Sequence, residues 1–497
     1  VEHILGDSLP LTSIVFLVLA LLLALSFEFV NGFHDTANAV ATVIYTHALK
    51  PAYAVVWSGL WNLTGVLLSA GTVAFGIIAL LPVELVINVG TGAGFAMVFS
   101  LLISAIIWNV GTWYFGLPAS SSHTLIGSIV GVGLANSLIA KGHTFGDGVN
   151  WGKVQDTLTA LVVSPIVGFV GTALLFLLIK AIVKYPALYK SPEGETPPPW
   201  PVRALLILTC TGVSFAHGSN DGQKGMGLIL LILIGVVPTA YAINLGMDQT
   251  HVTALTQAAT TAQPVLAKLS SAPVPDPQAA NETLNGFIKA SGKVGPDVLA
   301  ALAAENQTIV SDLGSKTTLE DIPKDQRGTF RNHIYLVSAS IAKLQKKKAI
   351  DDPAASKTLG DYKKKLDGVT NFIPTWIKFA VAIALGLGTM IGWKRIVVTV
   401  GERIGKEHLT YAQGASAELV AYATIQAADI YGAPVSTTHI LSSGIAGSMF
   451  ANRSGLQMET LRNILLAWVL TLPVCVFLGS MFFAAGLRIV AAFGGAR

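Results

Sequence analysis

The sequence predicts an all-α, polytopic membrane fold: two inverted repeats containing broken and re-entrant helices, plus a helical soluble insertion. Three observations predict it. The 497 residues are 52% hydrophobic and 12% charged, where soluble domains carry roughly 25% charged residues. The segment 247–370 alone holds 15 of the 32 Lys and Arg and 13 of the 28 Asp and Glu, so the rest of the chain is poorer still in charge. The apolar units then follow the same order in each half: broken, plain, broken, plain.

The units run as follows. Leu11 to Thr46 is interrupted by polar residues at 31–38, and 52–80 is plain. The unit 93–138 breaks at Gly116–Ser122, and 157–184 is plain. The polar link "YPALYKSPEGETPPPWPVR" follows. The unit 202–240 is interrupted at 217–224, and after the polar segment come 373–393, 410–451 with a break at Gly432–Thr438, and 462–490. Several of these exceed the ~18 residues needed to cross a bilayer core of about 30 Å. The expected division is 1–185 (first repeat), 186–201 (cytoplasmic linker), 202–246 (second repeat, first part), 247–370 (insertion) and 371–497 (second repeat, second part). The first apolar run lacks a basic leader and a small-residue cleavage site, so it reads as structure rather than a signal peptide.

Two local matches support the repeat. "GLPASSSHTL" at 116–125 resembles "GAPVSTTHIL" at 432–441, and "NGFHDTAN" at 31–38 resembles "HGSNDGQK" at 217–224. The two offsets, 316 and 186, differ by 130. That difference is roughly the size of the polar segment, which is therefore an insertion into the second half. It reads as a small helical soluble domain or a partly ordered loop.

Loop charge sets the expected orientation. With the link at 180–203 cytoplasmic, the inner short loops hold Lys50, Lys180, Lys184, Lys190, Arg203, Lys394, Arg395, Arg403, Lys406, Arg453 and Arg462. The outer short loops hold Lys141 and Lys153. This is the positive-inside pattern. It makes the halves antiparallel, and it predicts an inner (plasma) membrane protein with both termini and the insertion extracytoplasmic.

The broken units carry the chemistry. Backbone leaves helical geometry at membrane depth only where protein or a water-filled cavity satisfies it. Gly116-Leu117-Pro118 and Gly432-Ala433-Pro434 end one helix; Ser120, Ser121, Ser122 and Ser436, Thr437, Thr438 can begin another. A helix N-terminus offers free N–H groups and a positive dipole end, and hydroxyls add donors, which makes an anion site. One such run alone reads as an ordinary N-cap. Two at matching repeat positions point to a substrate site at the midplane, as in repeat transporters.

Ionisable residues inside the apolar units are Glu28, His34, Asp35, His123, His217, Asp221, Lys224, Glu418, Asp429 and His439. Insertion of each costs roughly 3 kcal/mol, so such residues mark ion or substrate paths. Asp35 and Asp221 match in the repeat, each beside a glycine break and amides: Asn31 and Asn38, and Asn220 and Gln223. Carboxylate, amide and unwound carbonyls make a cation site. The alternative is a pair of buried carboxylates satisfied by helix ends. Two ionised Asp and a doubly charged anion cannot share a dry cavity uncompensated. Lys224 supplies one positive charge, and protons or cations must supply the rest, so the balance argues for symport rather than an anion pore. His34 stands opposite Asn220 in the repeat and can titrate near neutral pH; it is a proton-coupling candidate, with a hydrogen-bonded structural histidine as the alternative. His123, His439, Glu28, Gln223 and Lys224 are further candidates.

At these residues the chain resembles the inorganic phosphate transporter (Pit) family, and within it the bacterial low-affinity Pit type. The stretches are "NGFHDTANAVATVIYT" at 31–46, "WNVGTWYFGLPASSSHTLIGS" at 108–128, "SFAHGSNDGQKGMGL" at 214–228, "LGLGTMIGWKR" at 385–395 and "YGAPVSTTHILSS" at 431–443. The resemblance implies phosphate symport with protons or sodium, including neutral metal–phosphate complexes. It implies that Asp35, Asn38, Asn220 and Asp221 are cation- and phosphate-proximal, and that Ser120, Ser121, Ser122, Ser436, Thr437 and Thr438 cradle phosphate. The usual Gly-Ala-Asn-Asp reads Gly32-Phe33-His34-Asp35 in the first copy, which favours protons over sodium there.

The expected partners are therefore phosphate or a metal–phosphate complex, protons ahead of sodium, the lipid bilayer and, as an open option, a second copy in a homodimer. No cofactor and no structural metal site is expected: Cys210 and Cys475 both lie in apolar runs and read as small buried hydrophobes. No basic block interleaved with aromatics suggests nucleic acid. No activated nucleophile suggests an enzyme. A carrier of another oxyanion such as sulfate, or a receptor or scaffold acting through the insertion, remain the rival readings.

Overall fold

A computed structural model describes residues 9–494, apart from 79, 81–90, 140–144, 147–148, 271 and 290–293; side chains at 36–38, 153, 289 and 493–494 also lie outside the described set. Among the described residues the fold is helical, with one isolated antiparallel bridge between Gly405 and Leu456. The first half comprises α1 (Leu11–Tyr45), α2 (Pro51–Leu68), α3 (Thr72–Ile78), α4 (Gly92–Tyr114), α5 (Ser121–Ile139) and α6 (Trp151–Ile182). Then come α7 (Trp200–Val236) and the insertion helices α8 (Gln249–Leu269), α9 (Pro277–Lys289), α10 (Pro296–Leu313), α11 (Arg327–Lys346) and α12 (Pro353–Thr370). The chain ends with α13 (Thr375–Met390), α14 (Lys394–Glu402), α15 (Tyr411–Ile430), α16 (Thr437–Asn452) and α17 (Met458–Gly494). Six described helices are long and apolar enough to cross a membrane; α2 and α3 form a further candidate span bent by 77°.

The breaks expected at 31–38 and 217–224 are not there. α1 runs unbroken for 35 residues and α7 for 37. Glycine inside a helix costs about 1 kcal/mol, which tertiary packing readily overrides. Here the glycines serve backbone contact between helices instead. A Cβ on Gly32 would stand 2.3 Å from the Leu385 carbonyl oxygen of α13, and one on Gly218 would stand 2.1 Å from that of Asn62 on α2. The two contacts are matched between the halves.

The breaks at Gly116 and Gly432 do form, by the same device. Both glycines have positive φ, 67° and 63°. Leu117 N–H donates to Thr112 O and Gly116 N–H to Trp113 O, both at 2.9 Å; Ala433 donates to Ala428 O at 2.9 Å and Gly432 to Asp429 O at 3.1 Å. This is the Schellman termination, which needs a left-handed residue after the helix end and so favours glycine. The chain then turns back, and Ser120 and Ser436 cap α5 and α16.

Two apolar clusters make up the membrane part, separated by a polar waist. One holds Leu17–Phe27 of α1 with Met226–Val236 of α7; the other holds Ala39–Val43 of α1 with Val202–Ala216 of α7. α1 and α7 are therefore antiparallel, and their polar segments lie side by side between the clusters. Both arms of the α4–α5 hairpin lie in the first cluster, and both arms of α15–α16 lie in the second. Each hairpin thus enters and leaves at one end, and the two come from opposite ends.

The loops with the basic residues of the proposed inner face border the second cluster, whereas the insertion joins the chain beside the first. Lys141 and the Lys153 side chain lie outside the described residues. The insertion has an apolar core of its own, built from Val252, Leu284, Leu302, Ile334, Leu359 and their neighbours. Arg331 fastens its neck, donating through Nη1 to Ala242 O at 2.7 Å and Thr370 O at 3.1 Å, one on each chain crossing.

Candidate functional site

The two hairpin tips meet at the waist. Ser120 Oγ accepts the His123 N–H at 3.2 Å, and Ser436 Oγ accepts the His439 N–H at 3.1 Å. These bonds satisfy one free donor at each helix start. The following histidines touch: the His123 and His439 rings lie 4.6 Å apart, and His439 stacks on Trp468 at 3.9 Å. His123 Nδ1, His439 Nε2 and Thr437 Oγ1 are buried without a hydrogen-bond partner. So two helix N-termini, with unused polar atoms, converge from opposite ends of the protein.

Asp35 of α1 reaches both tips. Its Oδ2 accepts Ser121 Oγ–H at 2.7 Å and its Oδ1 accepts Thr438 Oγ–H at 2.5 Å. His34 Nδ1 stands 3.2 Å from the same Oδ1, and its Nε2 is 3.0 Å from Thr112 Oγ1. The Thr112 hydroxyl already donates to Trp108 O at 2.9 Å and Asn109 O at 3.1 Å. His34 thus links Thr112 of α4 to Asp35, with one ring nitrogen toward each.

A second histidine beside an acid lies on α7. Asn62 donates its amide to Ser58 O at 3.0 Å, which turns its oxygen toward His217 Nδ1 at 2.5 Å. Nδ1 therefore carries a proton, and Nε2 is turned to the acids. It is 3.5 Å from Asp221 Oδ2 and 4.0 Å from Asp35 Oδ2. The three atoms all lie within 4.8 Å of one another. Two buried carboxylates converging on one imidazole nitrogen suit a proton or a metal cation.

Lys224 joins this group from the next turn of α7. Its Nζ lies 2.8 Å from Asp221 Oδ1 and donates to Ser122 Oγ at 2.5 Å. Ser122 passes the chain on to Val435 O at 2.8 Å, in the opposite tip. Glu28, seven residues before Asp35 on α1, is fully buried; Asn31 donates to its Oε2 at 3.4 Å, while Oε1 has no partner. Asn220 donates to Ala433 O at 3.4 Å. Gln223 bonds a third carboxylate instead of Asp35 or Asp221: its amide donates to Asp429 Oδ1 at 2.5 Å. The Asn38 side chain lies outside the described residues.

The profile described as "Phosphate transporter family" matches residues 31–479, across both membrane halves and every motif of this site. The chain belongs to the phosphate transporter family. It is 41% identical over 492 residues to the low-affinity inorganic phosphate transporter PitB of Escherichia coli, with 95% of this chain and 97% of the relative covered. It is 42% identical over 504 residues to PitA of the same species, at the same coverage. A probable low-affinity inorganic phosphate transporter of Bacillus subtilis is 28% identical over 469 residues, covering 94% and 96%. A solved structure titled "The sodium-dependent phosphate transporter" shares the fold, with TM-score 0.53 at 18% identity over 96% of this chain and 100% of that one.

In this phosphate transporter, Ser120 to Ser122, Ser436 to Thr438, Asp35, Asp221, His34, Asn220, Lys224, His123 and His439 are all brought to the waist. Three residues that the sequence offered only as buried charges gain definite partners. His217 bridges the two acids; its spacing of four from Asp221 was a usable signal, hidden by reading 217–224 as a helix break. Glu418 accepts hydroxyls from Thr42 and Thr209, between α1 and α7. Asp429 accepts from Ser219 and Gln223.

Proposed function

We propose that this family member imports inorganic phosphate, free or as a neutral metal complex, by proton symport with alternating access. The observation that carries the reading is that one carboxylate, Asp35, accepts hydroxyls from both anion-cradling tips. An ionised Asp35 competes with phosphate for Ser121 and Thr438. A proton reaching Asp35, from the His34 side or through His217, weakens its hold on both hydroxyls. It also removes a negative charge from beside the incoming anion. Proton binding and phosphate binding then favour each other, which is the thermodynamic requirement for coupling.

In the loaded state, phosphate takes the hydroxyls of Ser121, Ser122, Thr437 and Thr438 and the N-terminal dipoles of α5 and α16. Lys224 balances one charge, and protons on the Asp35–His217–Asp221 group balance the rest. A divalent cation carried with phosphate would occupy the same three groups. The antiparallel α1 and α7, with hairpins entering from opposite ends, support an inverted repeat, and rocking of one half against the other would expose the waist alternately. The basic loops support a cytoplasmic position for their end, with the insertion and both termini outside.

The test is uptake of radiolabelled phosphate into proteoliposomes under an imposed pH gradient, without sodium. Uptake that follows sodium and ignores the pH gradient would overturn proton coupling. Unlabelled sulfate competing as well as unlabelled phosphate would overturn the substrate.

A further inference from the structure

The two hairpin tips are fastened by chemically different devices. The α4–α5 tip is held at the end bearing the basic loops. There Trp113 Nε1 donates to Gly392 O at 2.7 Å, Arg395 to Tyr114 O at 2.8 Å, and Thr399 Oγ to Gly116 O at 2.8 Å. None of these groups changes charge in the physiological range. The α15–α16 tip is held at the insertion end, where α3 lies in the first apolar cluster. Thr72 Oγ donates to Asp429 O at 2.8 Å, and the Asp429 carboxylate accepts Ser219 Oγ and Gln223 Nε2, both at 2.5 Å. Gln223 Oε1 accepts the Val73 N–H at 2.8 Å. Asp429 thus ties three elements together: α3, α7 and the tip itself.

Its surroundings separate it from the central acids. Asp429 is partly exposed, while Asp35 and Asp221 are 2% and 1% exposed. Ser219 and Gln223 flank Asp221 on α7, so Asp429 grips the very turn that carries the central site. It sits on the last turn of α15, where the negative dipole end disfavours a carboxylate that lacks donors. From α7 it faces Asp221, with His217 and Lys224 on the same stretch; α16 brings His439; α3 brings no titratable group.

We propose that Asp429 is a proton-coupling, positioning residue that latches the insertion-side entrance to the site. Ionised, the carboxylate accepts both α7 donors and holds the tip down over Asp221 and Lys224. A proton removes the charge that strengthens both bonds; on Oδ1 it also sets an O–H against the Gln223 N–H, whereas on Oδ2 the Ser219 hydroxyl turns to accept and only a weaker neutral bond remains. The tip is then free to lift and open the site to the insertion side, while the opposite tip stays fastened. The inference rests on the alternating-access reading, and it adds that the first proton acts on the entrance rather than on the substrate.

Accessibility labelling tests it in the full chain. A Val435→Cys variant puts a reporter thiol behind the latch, at a position 3% exposed. A Tyr431→Cys variant, at a position 85% exposed on the same tip, corrects for thiol chemistry. Both native cysteines are buried. The probe is a membrane-impermeant maleimide applied from the insertion side without phosphate. On acidification from about pH 8 to about pH 5.5, spanning the carboxylate and imidazole range, the Val435→Cys to Tyr431→Cys labelling ratio is expected to rise about fivefold. Adding Asp429→Asn should make the ratio high and flat with pH. A pH-independent ratio with Asp429 intact overturns the latch, whatever the fate of the Asn variant. So does an Asn variant that keeps the low ratio and the full pH response. Labelling that responds to pH while a pH gradient drives no phosphate uptake sinks the symport reading and leaves the latch standing.

Discussion

Thr438 donates its hydroxyl to Asp35 at 2.5 Å across 403 residues of sequence. The pair joins the start of α16 to the middle of α1, and Ser121 makes the matching bond from α5. A hydrogen bond to a charged group contributes about 1.5–3 kcal/mol. If phosphate takes these donors in the loaded state, Thr438→Val and Ser121→Ala should each raise the KM for phosphate about tenfold to a hundredfold, with normal membrane insertion. Initial-rate uptake measures this; an unchanged KM in both variants would remove the hydroxyls from the cradle.

Asp35→Asn and Asp221→Asn are each expected to abolish gradient-driven uptake while leaving expression intact. In both, a neutral amide replaces the group whose charge couples proton to anion. Uptake at the parental rate in both variants contradicts the coupling scheme.

His217 lies between those two acids, so its loss should alter proton dependence more than phosphate affinity. His217→Gln removes a titratable side chain from the group of three. Its uptake should fall at least about a hundredfold, on the scale of a lost proton-transfer group, and the pH profile should flatten. A variant with the parental pH profile would assign His217 to packing with Asn62 alone.

Gly218 faces the Asn62 carbonyl so closely that a Cβ would stand 2.1 Å away. Backbone cannot yield as a flexible side chain does, and overpacking costs about 1–3 kcal/mol or more. Gly218→Ala should therefore lower the Tm in detergent by several degrees, and Gly32→Ala likewise. A Tm unchanged in both would mean that α2 and α13 shift freely against α7 and α1.

The insertion carries its own pH dependence. Glu305 is fully buried and pairs with His333 at 2.5 Å. That hydrogen bond raises the His333 pKa above its ordinary value, against the opposing effect of burial. A raised folded-state pKa contributes stability that is fully present below the unfolded value of about 6.5 and is lost as pH rises through the folded value. Limited proteolysis of the full chain should therefore cut the insertion faster at alkaline pH than at pH 6. A His333→Gln variant should lose the difference. Equal rates at both pH values in the parent chain would show that the pair carries no such stability.

The membrane class and the turns at Gly116 and Gly432 were legible from the sequence alone. Each depends on local chemistry: apolar run length, a left-handed glycine after a helix end, a serine that caps the next helix. The insertion was legible as helical and separate, since its charge sets it apart. Tertiary structure decided the rest. The segments around Asp35 and Asp221 contain glycine, asparagine and aspartate, which locally suggest a break, yet α1 and α7 run straight through them. Their glycines meet neighbouring backbones, and their polar side chains find partners on other helices. The joining of Asp35 to Ser121 and Thr438, the bridging by His217 and the Asp429 latch all link residues far apart in the chain. Those distances are set by how the helices cross, because side chains on different helices meet only where packing brings their faces together.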